Sequence, residues 1–515
     1  MNGLIPRRKF IRSAALAGGS LMMLPYLKGN TMILSSPVNG YFLKEFGIDE
    51  TLCRKLLSKA LSRGGDFADL YFEHTLSNFI GLEDGKVNRL YGEITLGVGI
   101  RTVKGDQVGY GFTQELTEES MMSVAATAAS LCDASATAFT GNFSRPALAD
   151  YYPVDPMLID IPAKSKLPVV QRIHERCFAL SPLVVKVNAG FSQDVKRIMV
   201  VTSDGVMAED TQPSGYVYAS VVAEKSGRRE TAGWNLGGKR DFSYYTDEVV
   251  EKVSAVAVRN AVKLLDAIQP PAGEIPVVLG PGVTGILLHE AIGQGMEADF
   301  NRKKTSTYST MLNKKVAEPF VTIVDDATNP NLSGSINMDD EGVPGKRTVL
   351  VENGILTGYL HDRISANYYG VEPTGNGRRQ SFEHYPVPRM RNTYMLGGDA
   401  TPDDVVKAAG NGIYVEDVSN GQVKIGEGDF AFYVSQGRLI ENGKLTAPIK
   451  DINIMGNGPK MLANIVMAAN DLEMFQGGGG MCGKSGQGVR VSFGLPTCLV
   501  KSMTVGGTQK KGGVS

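Results

Sequence analysis

Several features that would mark a specific class of protein are scarce in this 515-residue sequence. Lys and Arg total 53 against 54 Asp and Glu, so the formal charge is -1. This balance removes the general electrostatic basis for binding nucleic acid or an anionic membrane. The five cysteines include no C-x-x-C pair and are odd in number, so we expect no disulfide framework. A single Trp beside 61 Gly and 24 Pro predicts many turns and hairpins rather than long helical bundles.

The amino-terminal segment lacks an apolar run long enough for a transmembrane helix. Residues 14–24 are mildly apolar and too short to span a bilayer, and they follow the twin arginines Arg7 and Arg8. This order is typical of a twin-arginine export signal. We therefore predict that residues 1–35 direct export, with the periplasm as the destination. No A-x-A cleavage site follows, so cleavage further along and retention as an anchor both stay open.

The periodicity of the remaining chain predicts an α+β protein of two domains. Apolar residues recur at helical spacing in residues 48–63, and alternating stretches after them predict antiparallel strands. The length exceeds one typical core, and the sequence QPPAG at residues 269–273 breaks a predicted helix. We expect an N-terminal α+β domain in residues 41–270. A C-terminal domain in residues 271–515 is expected to combine mixed and antiparallel sheets with flanking helices and to hold the metal site.

Short apolar runs joined by turn dipeptides are expected to make most of the C-terminal domain. The predicted turns are Asn353-Gly354, Asn442-Gly443 and Gly421-Gln422, because Asn and Gly adopt the positive φ that tight hairpins need. Helices are predicted at residues 401–409 and 459–472.

One stretch, LLHEAIGQGMEADF at residues 287–300, places a metal-ligand type beside a potential general base. In the zinc-protease helix, two His side chains four residues apart grip one ion, and a Glu beside the first acts as base. Here His289 and Glu290 are adjacent, but the next polar side chain is Gln294, at i+5 and roughly 140° away on a regular helix. A site requires the helix to end or bulge, which Gly293 and Gly295 permit.

This stretch and three later blocks resemble the TldD/PmbA family of peptidases, in particular the TldD-type subunit. The family's catalytic member carries HExxxH, with His where this chain has Gln294. The resemblance implies zinc held by His289, Cys482 and position 294, with Glu290 as the general base. It also implies hydrolysis of short, unfolded oligopeptides bound at a strand edge, and pairing with a PmbA-like partner or a homo-oligomer. The later blocks are MDDEGVPGKRTVLVENGILTGYLHDR, PTGNGRRQSFEHYPVPRMRNTYML and MCGKSGQG.

The departure at Gln294 leaves two interpretations open. A neutral amide oxygen is a poor zinc ligand, so the ion should be held more weakly than by a second His. The chain is therefore either a peptidase with a retuned or damaged site, or a catalytically inactive subunit that binds peptides or acts as a scaffold. The sequence also does not separate a natural Gln from an engineered replacement of His.

Three further residues are candidates for the site, and one further motif suggests a rival function. His384, Arg378 and Arg379 lie in the resembling blocks and are candidates for gripping a peptide carboxylate, with structural salt bridging as the alternative. Residues 478–485 satisfy the phosphate-loop pattern G-x-x-x-x-G-K-[ST]. A phosphate loop must follow a buried strand and open a helix, whereas a helix is predicted before this loop and a strand after it, so we expect no nucleotide binding.

Overall fold

A computed structural model describes residues 40–136 and 139–507. The predicted export signal therefore lies outside the described residues. The α-helices are α1 (Tyr41–Phe46), α2 (Glu50–Ala60), α3 (Glu118–Ala129), α4 (Ala163–Leu180), α5 (Asp247–Leu264), α6 (Gly285–Leu288), α7 (Ala298–Arg302), α8 (Arg363–Tyr369), α9 (Pro402–Ala409) and α10 (Gly458–Ala463). No helix within these residues is both long and apolar enough to cross a membrane.

The described strands fall into two groups along the chain. The first group is β1 (Phe67–Glu83), β2 (Lys86–Lys104), β3 (Gln107–Thr113), β4 (Val184–Thr202), β5 (Met207–Lys225) and β6 (Arg228–Gly238). The second group is β7 (Gly273–Leu279), β8 (Ile323–Asp326), β9 (Arg347–Glu352), β10 (Ile355–Leu356), β11 (Gly377–Arg378), β12 (Val387–Pro388), β13 (Asn392–Met395), β14 (Gly412–Lys424), β15 (Asp429–Glu441), β16 (Lys444–Ile449), β17 (Ile452–Asn457), β18 (Ile465–Ala468), β19 (Glu473–Met474), β20 (Met481–Lys484), β21 (Gln487–Arg490), β22 (Ser492–Leu495) and β23 (Cys498–Gly507).

The first six strands form one antiparallel sheet in the order β3-β2-β1-β4-β5-β6. Asp84 and Gly85 both adopt positive φ between β1 and β2, which is the conformation that a two-residue hairpin requires. Helices α4 and α5 bury apolar residues such as Ile173 and Val253 against β4 and β5. Helices α2 and α3 pack in the same way on β1 and β2.

The later strands build two main sheets, one of six strands and one of seven. One sheet has the order β10-β9-β8-β13-β22-β19, with β13 and β22 parallel. The other has the order β14-β7-β23-β17-β15-β16, and an additional pairing between β14 and β15 closes five of its strands into a ring. The predicted α+β class with mixed and antiparallel sheets is confirmed. The division into two domains stays a prediction.

Two sequence predictions in the second half are wrong. Gly421 and Gln422 do not turn the chain but lie in β14, where the pairing with β15 shifts register. A side chain at Gly421 would meet the Phe432 ring at 2.0 Å, so this glycine makes room for an aromatic side chain across the sheet. The helix predicted at residues 459–472 ends at Ala463, because the apolar run after it pairs with β23 as β18. Short apolar runs fit either structure.

Candidate metal centre

A short helical segment with three successive types of turn leads into the site. Strand β7 leads into α6, which ends at Leu288, and a single π-helical turn follows at His289–Gly293. A 3₁₀ turn at Gln294–Met296 completes the segment. Gly285 lets α6 lie directly on β22, because a Cβ there would meet the Gly494 backbone at 2.8 Å.

The π turn brings Gln294 beside Glu290. The Gln294 backbone N–H bonds to the carbonyl of His289, an i to i+5 hydrogen bond in place of the i+4 bond of a regular helix. The Gln294 side-chain amide then donates to Oε2 of Glu290 and lies 3.8 Å from Sγ of Cys482. The bulge that the sequence required for a site is present, and π turns of this kind are common at functional sites.

His289, Glu290 and Cys482 form a compact cluster of potential metal ligands. One ligand atom from each residue lies within 4.8 Å of the others. Nε2 of His289 is 4.0 Å from Oε1 of Glu290. The His289 and Cys482 side chains are fully buried, whereas the Glu290 side chain is 21% exposed. The cluster is therefore open to solvent at its carboxylate.

The imidazole of His289 is positioned as a metal ligand. Both ring nitrogens are buried, and neither has a hydrogen-bond partner within the described chain. Burial lowers the pKa of His289 below its ordinary value, which favours the neutral imidazole that metals bind. A buried polar atom without a partner costs about 1–3 kcal/mol. A metal ion bound to a ring nitrogen of His289 would remove this cost.

Strand β20 carries Cys482 and is held in place by two buried cations. Arg389 donates to the carbonyl oxygen of Cys482. The ammonium group of Lys484 lies 2.8 Å from Oε2 of Glu297 and 2.7 Å from Oδ1 of Asp299. These ion pairs connect the hairpin of β20 and β21 to the segment that follows the π turn, and so hold the thiol beside the imidazole.

The electrostatics of the cluster favour neutral side chains when no cation is bound. Burial raises the pKa of Glu290 to about 7, and the neighbouring His289 opposes that rise. Burial also raises the pKa of the Cys482 thiol, against the lowering influence of Arg389. A bound cation reverses this preference, because it stabilises both thiolate and carboxylate.

The structure places the three peptide-binding candidates outside this cluster. Arg378 donates to the carbonyl oxygens of Met390 and Arg490 at 2.6 and 2.8 Å. Arg379 is buried with Nη2 3.2 Å from Oδ1 of Asp69. The carbonyl oxygen of His384 accepts a hydrogen bond of 2.8 Å from the hydroxyl of Tyr110. Arg378 and Arg379 nonetheless line a polar cavity of about 520 Å³ that Met481 and Val489 of the Cys482 hairpin also border.

Sequence reasoning missed the supporting roles of Lys484 and Phe493, and it considered Arg389 only for gripping a peptide carboxylate or for a structural salt bridge. Lys484 was assigned only to the phosphate-loop pattern, although a residue two positions from Cys482 shares its face of a strand. Ser485 and Gly486 form a tight turn with positive φ between β20 and β21, and a strand follows. The loop therefore lacks the helix amino end that phosphate-binding loops use. The Phe493 ring centroid lies 6.1 Å from that of His289.

Family models match most of the chain. They are domain 1 of the PmbA/TldA metallopeptidases at residues 68–132, the central domain at residues 157–265 and the C-terminal domain at residues 272–507. This chain belongs to the PmbA/TldD metallopeptidase family. The resemblance drawn from the sequence blocks is confirmed.

Curated relatives carry TldD names. The metalloprotease TldD homologue of Haemophilus influenzae is 37% identical over 458 residues, which cover 87% of this chain and 94% of the relative. That of Buchnera aphidicola from Acyrthosiphon pisum is 36% identical over 459 residues, 88% of this chain and 95% of the relative. A Saccharolobus solfataricus protein named zinc metalloprotease TldD homologue is 38% identical over 259 residues, 50% of this chain and 57% of that protein. The family is thus one of metalloproteases.

Solved structures share the fold of this family member. A Thermotoga maritima protein described as a modulator of a DNA gyrase has a TM-score of 0.73 and 22% identity, covering 89% of this chain and all 100% of that chain. TldE from Thermococcus kodakarensis has a TM-score of 0.70 and 17% identity, covering 88% and 100%.

The residues present fit the metal ion that a metalloprotease requires. A thiol, an imidazole and a carboxylate converge, and the imidazole nitrogens have no other partner in the described residues. Nitrogen and sulfur donors of this kind suit a borderline-soft divalent ion. Position 294 offers a side-chain amide at the place where the sequence resemblance implies a second imidazole.

Proposed function

We propose that this chain is an exported TldD-type zinc metallopeptidase that hydrolyses short, unfolded oligopeptides and holds its ion weakly because of Gln294. The observation that supports this most is the convergence of His289, Glu290 and Cys482 across almost two hundred residues of sequence. The two strongest donors among them are His289 and Cys482. His289 has no hydrogen-bond partner in the described residues, and the Cys482 thiol is buried beside it.

Different residues of the cluster would bind the metal ion and transfer the proton. His289 and Cys482 would hold the ion, and the Gln294 amide oxygen would be a third, weaker donor after rotation of the amide. When bound, zinc supplies Lewis-acid polarisation and lowers the pKa of water. Glu290 takes the proton of the attacking water and returns it to the leaving amine. A bound cation would favour the ionised carboxylate, which is the form that accepts the proton.

A cavity beside the cluster supports oligopeptides as substrates. The cavity measures about 610 Å³, and its walls come from the elements that carry the ligands, including Ile286, Met481 and Phe493. Tyr216 and Tyr218 of β5 form the opposite wall. This volume accommodates an extended peptide side chain but not a folded domain. Recognition through backbone hydrogen bonds at a strand edge would keep the sequence preference loose.

The proposed enzyme is exported and works with a partner subunit. The twin arginines at Arg7 and Arg8 direct a folded protein to the periplasm, which would let zinc enter in the cytoplasm before transport. A PmbA-like partner or a second copy of this chain would accompany it. A partner encoded separately would need its own export signal or transport together with this chain.

Metal content measured beside activity tests the proposal. Purified protein dialysed without chelator is expected to retain sub-stoichiometric zinc, to regain activity on an unstructured peptide when zinc is added, and to lose it on Glu290→Ala. Glu372→Ala changes an exposed carboxylate elsewhere and is the matched control. Activity that persists in Glu290→Ala would place the general base at another residue and refute the assignment.

A catalytically inactive peptide-binding subunit is the second candidate. The hydrogen bond from the Gln294 amide to Glu290 favours it, because it occupies the carboxylate oxygen that a general base needs free. If the chain is inactive, we expect no zinc after dialysis and no hydrolysis with added zinc. A fluorescent peptide should bind wild type and Glu290→Ala with equal affinity. Hydrolysis restored by zinc would eliminate it.

A further inference from the structure

The polar cavity of about 520 Å³ lies between the first sheet and the second half of the chain. Strands β1, β4 and β5 line it through residues such as Thr75, Lys196 and Gln212. The second half contributes Arg378 of β11 and Val489 of β21, among others. Five carboxylates and five cations line this space, so the partners of each group decide which ligand the cavity could bind.

The carboxylates of the polar cavity are already satisfied. Oε2 of Glu73 and Oδ2 of Asp340 each accept a backbone N–H, at 2.9 and 2.7 Å. Asp339 accepts three backbone N–H groups, and Asp194 forms an ion pair with the arginine of β21. Glu93, the fifth carboxylate, is exposed to solvent. The acidic groups therefore need no bound cation.

Two of the five cations lack a carboxylate partner. The other three form ion pairs, which are Lys196 with Glu73, Arg379 with Asp69, and Arg490 with Asp194. Lys239 and Arg378 form no ion pair with any carboxylate in residues 40–136 and 139–507, although both are buried. Charged side chains are almost never buried in proteins unless they are paired.

Lys239, which directly follows β6, has only neutral groups as close partners. It is 3% exposed, and Nζ donates to Oε1 of Gln212 at 3.0 Å. On another side Nζ lies 4.3 Å from the centre of the Tyr152 ring. The buried carboxylate of Asp210 accepts hydrogen bonds from Tyr152 and Asn337 instead. The ammonium charge of Lys239 is therefore not neutralised by a direct contact.

Arg378 is the second unpaired cation, and it acts on the first. Its two Nη groups donate to backbone carbonyl oxygens, which are neutral. Burial lowers the pKa of Arg378 to about 10 and that of Lys239 to about 7. Asp210 and Asp340 oppose the lowering of the Lys239 pKa, whereas the positive charges of Arg378 and Lys196 add to it. An anion in the cavity would stabilise both charged forms.

We propose that the polar cavity binds a carboxylate group of an oligopeptide, held by Lys239 and Arg378. Charge-assisted hydrogen bonds from such cations to a carboxylate are among the strongest in proteins. Arg379, which the sequence also suggested for this role, is already paired with Asp69 and is not a ligand here.

The position of the cavity supports a peptide as the source of the carboxylate. Met481, next to Cys482, borders both the polar cavity and the cavity of about 610 Å³ beside the metal-ligand cluster. A peptide that occupies the second cavity is therefore adjacent to the first. A C-terminal carboxylate and an Asp or Glu side chain offer the same group. The inference rests on the proposed function only because its ligand is an oligopeptide, and it requires neither zinc nor hydrolysis.

Peptide binding to the full-length Glu290→Ala protein tests the proposal without cleavage of the probe. The probe is a fluorescein-labelled hexapeptide of Gly, Ser and Ala with a free C-terminal carboxylate, and fluorescence anisotropy at pH 7 gives its dissociation constant. The C-terminal amide of this peptide is expected to bind roughly tenfold more weakly or worse, because it leaves the buried cations unpaired. An amide with one internal Glu distinguishes the two sources, since it regains the affinity only if a side-chain carboxylate enters the cavity.

Lys239→Met removes the ammonium group, keeps the length of the side chain, and should bind the free acid as weakly as the amide. Lys252→Met, on the exposed side of α5, is the matched control and should keep the preference for the acid. Urea unfolding separates this role from a structural one. Loss of an unpaired buried cation should leave stability unchanged or raise it, whereas a lysine that serves to neutralise Asp210 would make Lys239→Met less stable.

Several results would overturn the inference. These are equal affinities for the acid and both amides, no binding of any of the three peptides, and a preference for the carboxylate that survives Lys239→Met. Zinc-dependent hydrolysis by a chain without this preference would refute the carboxylate site and leave the peptidase proposal standing. A preference for the carboxylate in a chain that hydrolyses nothing would support the site and refute the peptidase.

Discussion

At the level of single residues, the proposed weak binding of the ion depends on Gln294. Its amide lies beside the Glu290 carboxylate and the Cys482 sulfur, in the place where the family pattern has a second imidazole. The π turn, not the side chain, sets that position, because the backbone hydrogen bond to His289 spans five residues. A different side chain at 294 should therefore occupy the same space.

Restoring the imidazole is expected to restore strong metal binding. Gln294→His should bring zinc to near one ion per chain after dialysis and raise peptide hydrolysis by roughly tenfold or more, since even outer-shell partners are worth 10–100-fold. Gln294→Met keeps the length of the side chain but offers no strong donor, so it should raise neither the zinc content nor the rate of hydrolysis. If Gln294→His changes neither zinc content nor activity, position 294 is not a ligand position.

The sequence alone could name some of the residues of this site but not connect them. The adjacency of His289 and Glu290 is readable from local chemistry. Cys482 entered only through a family resemblance, because no spacing rule connects residues so far apart. Lys484 fitted a nucleotide motif, and only the folded hairpin shows it bound to Glu297 and Asp299. Whether Gln294 faced the site depended on a π turn, which amino-acid propensity does not encode.

At the level of elements, α10 packs its first residue directly onto the π turn. A Cβ at Gly458 would lie 1.9 Å from the carbonyl oxygen of Ala291, a backbone atom that cannot rotate away. The helix predicted at residues 459–472 is longer than α10, whereas the Asn353-Gly354 and Asn442-Gly443 turns were predictable, because Asn-Gly turns are local signals. The contact itself was not, because it joins elements distant in sequence.

Gly458→Ala is expected to push these two elements apart. Alanine favours helix over glycine, so any loss of stability arises from the steric contact and should reach about 1–3 kcal/mol. Urea unfolding measures it. Gly483→Ala, where a Cβ meets nothing within 4 Å, is the control and should change stability little. Equal stability of the two variants would mean that α10 shifts freely.

Helix α8 begins at a buried carboxyl whose charge opposes folding. Asp362 accepts a hydrogen bond of 2.8 Å from the backbone N–H of Ser365, and burial, reinforced by Glu341, raises its pKa to about 6. The folded chain therefore binds more protons here than the unfolded chain. Stability from this group is complete below about pH 4 and is lost as the pH rises toward 6.

Asp362→Asn should remove that dependence and keep the helix cap, since Asn caps as well as Asp. We expect the variant to be more stable than wild type by about 3 kcal/mol at pH 8, with the gap closing at pH 4. Urea unfolding across this range measures it. Asp49→Asn alters the exposed cap of α2 and is the control. A constant gap at all pH values would contradict the prediction.

At the level of the whole molecule, one buried arginine joins the first sheet to the second half of the chain. Arg101 of β2 lies 2.6 Å from Asp69 of β1 through Nε and 2.7 Å from Glu341 through Nη2. All three side chains are fully buried in this ion pair network. Glu341 lies between β8 and β9, so the network couples elements that the sequence analysis assigned to separate domains.

Arg101→Ala is expected to destabilise the whole chain by about 3–5 kcal/mol, because it leaves the Glu341 carboxylate buried without a cation and leaves the Asp69 carboxylate with Arg379 alone. Lys104→Ala removes a half-exposed ion pair with Asp66 from the same strand and should change stability little, because solvent screens exposed ion pairs. Fluorescence of the single Trp, Trp234, can follow urea unfolding in both. Comparable losses would indicate that the buried network contributes no more than the exposed pair.

The ring of strands in the second half has a consequence for synthesis. Strand β23 lies between β7 and β17, yet β7 ends at Leu279 and β23 begins only at Cys498. At 5–20 residues per second, a ribosome needs on the order of 10–40 s to bridge that interval. Throughout this time the apolar β7 lacks its neighbour. We therefore expect chaperones to protect the unpaired β7 for many seconds during synthesis. Slow codons in this interval would lengthen the time for which β7 is exposed.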